Sequence, residues 1–176
     1  MNKIINFPFK KISNSDEYYK NYINIKNDLL QKVDKKELKN IINVILSAIK
    51  KKKKIFSCGN GGSSSSAEHL SCDFSKSSCT NTNLNVKAYS LTSNTSLITA
   101  IANDISYDNI FSYQLDRLGA SGDILFAFSV SGKSKNILKC VKIAKAKKIK
   151  IISFTGFNGG GLKILSQYNI NFPTNN

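Results

Sequence analysis

Arginine is almost missing from this chain. Of 26 basic residues only Arg117 is arginine, so the net charge of +15 over 176 residues is carried by lysine. Arginine is the side chain that forks onto phosphates and reads base edges. A basic chain without it does not have the pattern of a nucleic-acid interface, and no nucleic-acid partner is expected. Lys, Ile and Asn together make up 68 of the 176 residues, a compositional drift that accounts for the charge. Long apolar runs are also missing. The longest, Ile124–Val130, is far too short to span a bilayer, so no membrane role is expected. Met1–Lys11 has no secretory pattern, because Pro8, Lys10 and Lys11 interrupt it and no small-residue cleavage site follows. The four cysteines (Cys58, Cys72, Cys79 and Cys140) show no CxxC or zinc-finger spacing. They read as free thiols of a cytoplasmic protein, with Cys58 and Cys140 as small core residues.

What is present fits one soluble globular unit, with 41% apolar and 21% charged residues. Residues 1–14 read as irregular. Ser15 is placed to cap a helix over about 16–32, with Asp16 and Glu17 in its first turn. A second helix follows Asp34, its apolar residues Leu38, Ile41, Ile42, Ile45, Leu46 and Ile49 spaced for one face. It ends in Lys50–Lys54, read as a solvated, dipole-compatible terminus. Residues 1–34 are therefore taken as an N-terminal helical segment and 35–176 as the main domain.

Beyond Lys54 short apolar runs alternate with helical patterns. The runs are Ile55–Cys58, Val86–Leu91, Ile124–Ser129, Lys150–Phe154 and Asn169–Phe172; helices are predicted over about 63–75, 95–118 (broken near Asp104–Ser106), 134–147 and 161–167. Strands alternating with helices imply right-handed crossovers and a five-stranded parallel sheet covered on both faces. Such sheets bind ligands at the carboxyl ends of their strands, where three of these runs stop in Gly/Ser-rich loops.

Ser129-Val130-Ser131-Gly132-Lys133-Ser134 follows a strand and opens a helix. It suits an anion such as a phosphate, and equally an ordinary serine-rich turn with Ser134 as helix cap. Gly132-Lys133-Ser134 resembles the end of a P-loop, but the required earlier glycine is Ala127, which excludes that reading. Gly59-Asn60-Gly61-Gly62-Ser63-Ser64 approaches the dinucleotide fingerprint. Its third glycine is Ser64 and no acid ends the second strand, so NAD is not expected. His69, the sole histidine, shares a helix face with Asp73. The pair is either structural or half of a zinc site. Asn103-Asp104 is either a helix end or a polar pair aimed at a sugar.

Taken in order, Ser57–Ser63, His69 with Asp73, Thr99–Asp104, Gly122–Leu125 leading to Ser129–Gly132, and Thr155–Gly160 resemble the sugar isomerase (SIS) domain, most closely its phosphoheptose isomerases. The resemblance implies a flavodoxin-like αβα sandwich and a homotetramer with sites between subunits. It implies conversion of sedoheptulose 7-phosphate to D-glycero-D-manno-heptose 7-phosphate, a precursor of lipopolysaccharide or other glycans, through an enediol. By the same resemblance Asn60, Gly61, Gly62, Ser63, Asn103, Asp104, Ser129, Val130, Ser131 and Ser134 bind the phosphorylated sugar. Asp73 is the catalytic base, and His69 and Asp73 are the half-site for zinc.

Three departures accompany it. Asp73 stands where glutamate is usual and is shorter by one carbon–carbon bond, about 1.5 Å. Val130 replaces a common hydroxyl residue. The family's last helix, with a glutamine and a catalytic or zinc-binding histidine, would follow Asn176, so the chain is expected to be either a C-terminally truncated fragment or a degenerate form, with apolar surface left on one sheet face. A non-catalytic module that binds a phosphosugar or a protein partner is the alternative expectation.

Overall fold

The computed structural model describes Ile5 and residues 14–175. The irregular reading of residues 1–14 thus lies outside the described residues, apart from Ile5 and Asn14. Ile5 forms an isolated parallel bridge with Thr174.

Two helices lead in. Helix α1 (Ser15–Gln31) is capped by Asn14 and not by Ser15: the Asn14 side chain accepts the Glu17 amide at 2.7 Å. The carboxamide reaches the third amide of the helix from a residue in extended backbone, which leaves Ser15 inside the first turn. Helix α2 (Lys35–Lys50) is capped by Asp34, as its sequence suggests. The lysine run after it is only partly solvated. Lys53 and Lys54 donate to the carbonyls of Ser121 and Leu118 at 2.8 and 2.6 Å, tying the start of the first strand to the loop below the third.

The sheet follows the predicted runs closely: β1 (Lys54–Gly59), β2 (Lys87–Ser90), β3 (Ile124–Ser129), β4 (Lys150–Thr155) and β5 (Tyr168–Asn171). All pairs are parallel, and the order is β2-β1-β3-β4-β5, the flavodoxin-like arrangement. Between the strands lie α3 (Gly62–Cys72), α4 (Thr95–Asp104), α5 (Ser112–Leu118), α6 (Lys135–Ala146) and α7 (Gly160–Leu165). The expected break between α4 and α5 is a 3-10 turn at Tyr107–Asn109. Helix α3 runs on through a π-helical turn, Asp73–Ser77.

Alternation along the strands divides the core. Ile55, Ile124, Phe126, Ile152 and Ile170 face α2 and α3. Phe56, Cys58, Leu125, Ala127 and Ile151 face α4 to α7, with Ile137, Cys140, Val141 and Leu162 against them. Each fully buried Ile, Leu or Phe contributes about 1.5–3 kcal/mol. Asp123, 2% exposed, accepts the backbone amides of Lys54 (2.9 Å) and Ala120 (2.8 Å). The Gly122–Leu125 part of the family pattern is therefore scaffold, at the end of the sheet opposite the loops. On the α2 face, stacked Phe128 and Phe154 near the carboxyl ends remain half-exposed, with ring centroids 5.1 Å apart.

Candidate functional site

The loop after β1 leads to α3 on one face of the sheet, and the loop after β3 leads to α6 on the other. The crevice between neighbouring strands whose crossovers diverge is where such sheets take ligands.

The β3 loop is held by its own serines. Ser129 Oγ accepts the Gly132 amide at 3.2 Å and lies 3.2 Å from Ser134 Oγ. Ser131 Oγ accepts the Lys133 amide at 3.2 Å. Ser134 occupies the cap position of α6, but its side chain makes no cap bond; it turns to Ser129. Gly132 has φ +63°, and a Cβ there would run into the carbonyl of Gly159 in the β4 loop. The two loops are also joined by Gly156 N–H to Val130 O (2.8 Å) and Leu162 N–H to Gly132 O (3.0 Å). The positive end of α6 thus stands behind a rigid, hydroxyl-rich turn, the chemistry that accepts a phosphate.

This turn borders a cleft of about 350 Å³. Ser63 and Ser66 of α3, Ser129, Val130, Thr155 and Gly156 line one side, and Tyr22, Ile25, Lys26 and Leu29 of α1 line the other. Lys26, on a helix read from sequence only as an entry segment, adds a cation to the wall. Beside it lies a more open depression of about 550 Å³ holding His69 and Asp73 over Leu70, Phe128 and Phe154. Ser66, Phe128 and Phe154 belong to both, so the phosphate-type loop and the titratable pair share one continuous surface.

His69 Nε2 is 3.3 Å from Asp73 Oδ2, one helical turn apart, and both side chains reach solvent. Ser77, from the π-helical turn, donates to Asp73 Oδ1 at 3.2 Å. Each carboxylate oxygen therefore has a defined neighbour. His69 and Asp73 are two potential metal donors; among the described residues no third His, Cys, Asp or Glu joins them. Two ligands do not make a zinc centre.

The remaining residues stand outside the linings of both hollows. Gly61 and Gly62 form the exposed tip of the β1 loop. Asn60 points to α6, where it pairs with Asn136, and it also accepts from Tyr107. Asn103 and Asp104 sit exposed at the end of α4, bonded to each other at 2.8 Å. Among the described hydrogen bonds none joins them to the β1 or β3 loop. Behind the site Cys58 and Cys140 are buried; burial, and then the neighbouring Cys58, push the Cys140 thiol well above its ordinary range.

The family profile described as "SIS domain" matches residues 17–156. The phosphoheptose isomerase of Buchnera aphidicola subsp. Acyrthosiphon pisum (strain Tuc7) is 38% identical over 168 residues, covering 94% of this chain and 81% of that one. Among solved structures, phosphoheptose isomerase GmhA from Neisseria gonorrhoeae superposes with a TM-score of 0.80 at 30% identity, over 90% of this chain and 83% of that one. A phosphoheptose isomerase from Francisella tularensis does so with a TM-score of 0.82 at 27% identity, over 92% and 85%.

Proposed function

The chain belongs to the SIS domain family and to its phosphoheptose isomerases, and from that premise we propose that it interconverts sedoheptulose 7-phosphate and D-glycero-D-manno-heptose 7-phosphate. One observation carries this reading: the serine-rich loop at the start of α6 and the His69–Asp73 pair open onto one continuous surface. An aldose–ketose isomerase needs an anion anchor at one end of the sugar and a proton-transfer group at the other.

The phosphate is held by the Ser129–Ser134 turn, with Lys26 beside the cleft. Asp73 takes the proton from C1 of the ketose and returns it to C2 through the enediol, while the O1 proton is lost and O2 gains one. His69 and Ser77 keep the short carboxylate oriented for this. Zinc, which the family resemblance associates with His69 and Asp73, would have these two donors among the described residues, and no step is assigned to it. The product is a precursor for glycan assembly such as lipopolysaccharide, and the setting that goes with this reading is the cytoplasm.

The working form is a homo-oligomer, in the family a tetramer. Its support is the stripe Leu38, Ile42 and Leu46 on α2, which are 41%, 46% and 47% exposed and spaced one turn apart.

Proton NMR of sedoheptulose 7-phosphate incubated with the chain tests the activity. Anomeric signals of the aldose are expected. Saturable binding without the aldose would point instead to a non-catalytic phosphosugar module.

A further inference from the structure

Resting on the isomerase reading, we propose that Asn136 and Tyr107 are positioning residues that fix Asn60 as an N–H donor to an acceptor oxygen of the phosphosugar. Asn136 is 2% exposed, at the start of α6, and its carboxamide forms a reciprocal pair with Asn60. Asn60 Nδ2 donates to Asn136 Oδ1 and Asn136 Nδ2 donates to Asn60 Oδ1, both at 2.9 Å.

A reciprocal amide pair is by itself ambiguous, since turning both groups over restores the same two bonds. Here a backbone group removes the ambiguity. The Ile137 N–H donates to Asn136 Oδ1 at 2.9 Å, and a backbone donor requires oxygen at that position. With Asn136 Oδ1 so fixed, the Asn60 atom facing it must be nitrogen. The Tyr107 hydroxyl, 3.2 Å from Asn60 Oδ1, donates to the oxygen that remains.

The consequence is chemical. Asn60 Oδ1 receives two donors and is filled, while Nδ2 has given one of its two hydrogens to Asn136. In such a pair the second hydrogen lies on the side of the nitrogen away from the partner. Asn60 is half-buried at the mouth of the β1 loop, so its remaining capacity is one N–H. A ligand oxygen there must accept, as a carbonyl, a hydroxyl lone pair or a phosphate oxygen does. The residues that impose this stand on two other elements, α6 and the 3-10 turn after α4, so contacts from two distant segments set the polarity of one side chain.

Nitrogen-15 correlation spectra of the full chain test this without relying on activity. In the wild type the two Asn60 side-chain amide protons, assigned by their loss in Asn60→Ala, are expected to lie further apart than those of the exposed asparagines. Sedoheptulose 7-phosphate should shift the proton not held by Asn136. Asn136→Ala should reduce the separation to that of the exposed asparagines while backbone signals stay dispersed, and lower kcat/KM about tenfold, mainly through KM. Should Asn136→Ala fail to fold, Tyr107→Phe is the second test, with a smaller change in the same proton pair and about a threefold loss. Wild-type protons no further apart than those of the exposed asparagines, or a pair untouched by the substitution that folds, would overturn the lock. A free proton unmoved at saturating sugar phosphate would overturn the donor role. A proton that shifts without any turnover would refute the isomerase reading alone.

Discussion

Gly132 and Gly122 both have positive φ, +63° and +85°, yet replacing each with alanine should give very different results. At either position an L side chain in left-handed backbone costs about 1–2 kcal/mol. At Gly122 the new Cβ meets the Lys53 side chain 3.0 Å away, the end of a flexible chain that can move aside. At Gly132 it meets the Gly159 carbonyl, which is backbone. Relief requires the β3 and β4 loops to separate, at the expense of the bonds from Gly156 N–H to Val130 O and from Leu162 N–H to Gly132 O. At about 1 kcal/mol each, these raise the cost of Gly132→Ala to roughly 3–4 kcal/mol. For a chain of this size a kcal/mol moves Tm by about 2–4 °C, so Gly132→Ala should melt about 4–8 °C below Gly122→Ala. Thermal melting by circular dichroism gives the comparison, and calorimetric titration with sedoheptulose 7-phosphate gives the second half: affinity should fall in Gly132→Ala and stay unchanged in Gly122→Ala. Equal melting temperatures, or equal affinities, would refute the account of the two loops as one rigid anion cradle.

The proposed homo-oligomer should sediment as such in the wild type and as a monomer in Ile42→Glu, because a charge in an apolar interface is left unpaired; an unchanged sedimentation coefficient excludes the α2 stripe as the interface. Val130→Ser restores a hydroxyl beside the cleft and should lower KM about two- to tenfold, the value of one added hydrogen bond; a raised KM argues that the phosphate lies elsewhere. Cys140 keeps its proton in the fold while the unfolded chain loses it above about pH 8.5. The folded state then binds more protons, so stability falls as pH rises beyond that value and is unaffected by this thiol below it. Urea unfolding of Cys140→Ala should show a shallower alkaline decline, by up to about 1.4 kcal/mol per pH unit; identical slopes would show that the thiol is not linked to folding.

Much of this was legible in the sequence because the strands are short apolar runs stopped by glycine. Ile55–Cys58 and Ile124–Ser129 are bounded so sharply that the strands and the loops carrying the site residues followed from them. The Asn14 cap was missed because Asn14 and Ser15 are both good caps, and only geometry decides which one stands outside the helix. Asn136 was missed although a signal existed: it is the polar member of the face it shares with Cys140 and Ala144, at one-turn spacing. A buried amide on an apolar stripe needs a partner, and the partner was on a loop 76 residues away. Ser77 and the π-helical turn left no trace in periodicity, and Lys26 drew no attention among so many lysines. That the Gly/Ser-rich loops lie at the carboxyl ends of the strands was readable from the alternation of strands and helices, whereas the contacts of Asn60, Asn103 and Asp104 are tertiary and no local pattern encodes them.

The proton transfer assigned to Asp73 is tested most directly in deuterium oxide. Sedoheptulose 7-phosphate incubated with the chain should gain deuterium at C1, with labelled aldose alongside, and Asp73→Asn should slow the exchange by about 10²–10⁴-fold while still binding the sugar phosphate. Unlabelled ketose and no aldose after long incubation with saturating wild-type protein, or exchange undiminished in Asp73→Asn, would contradict the account.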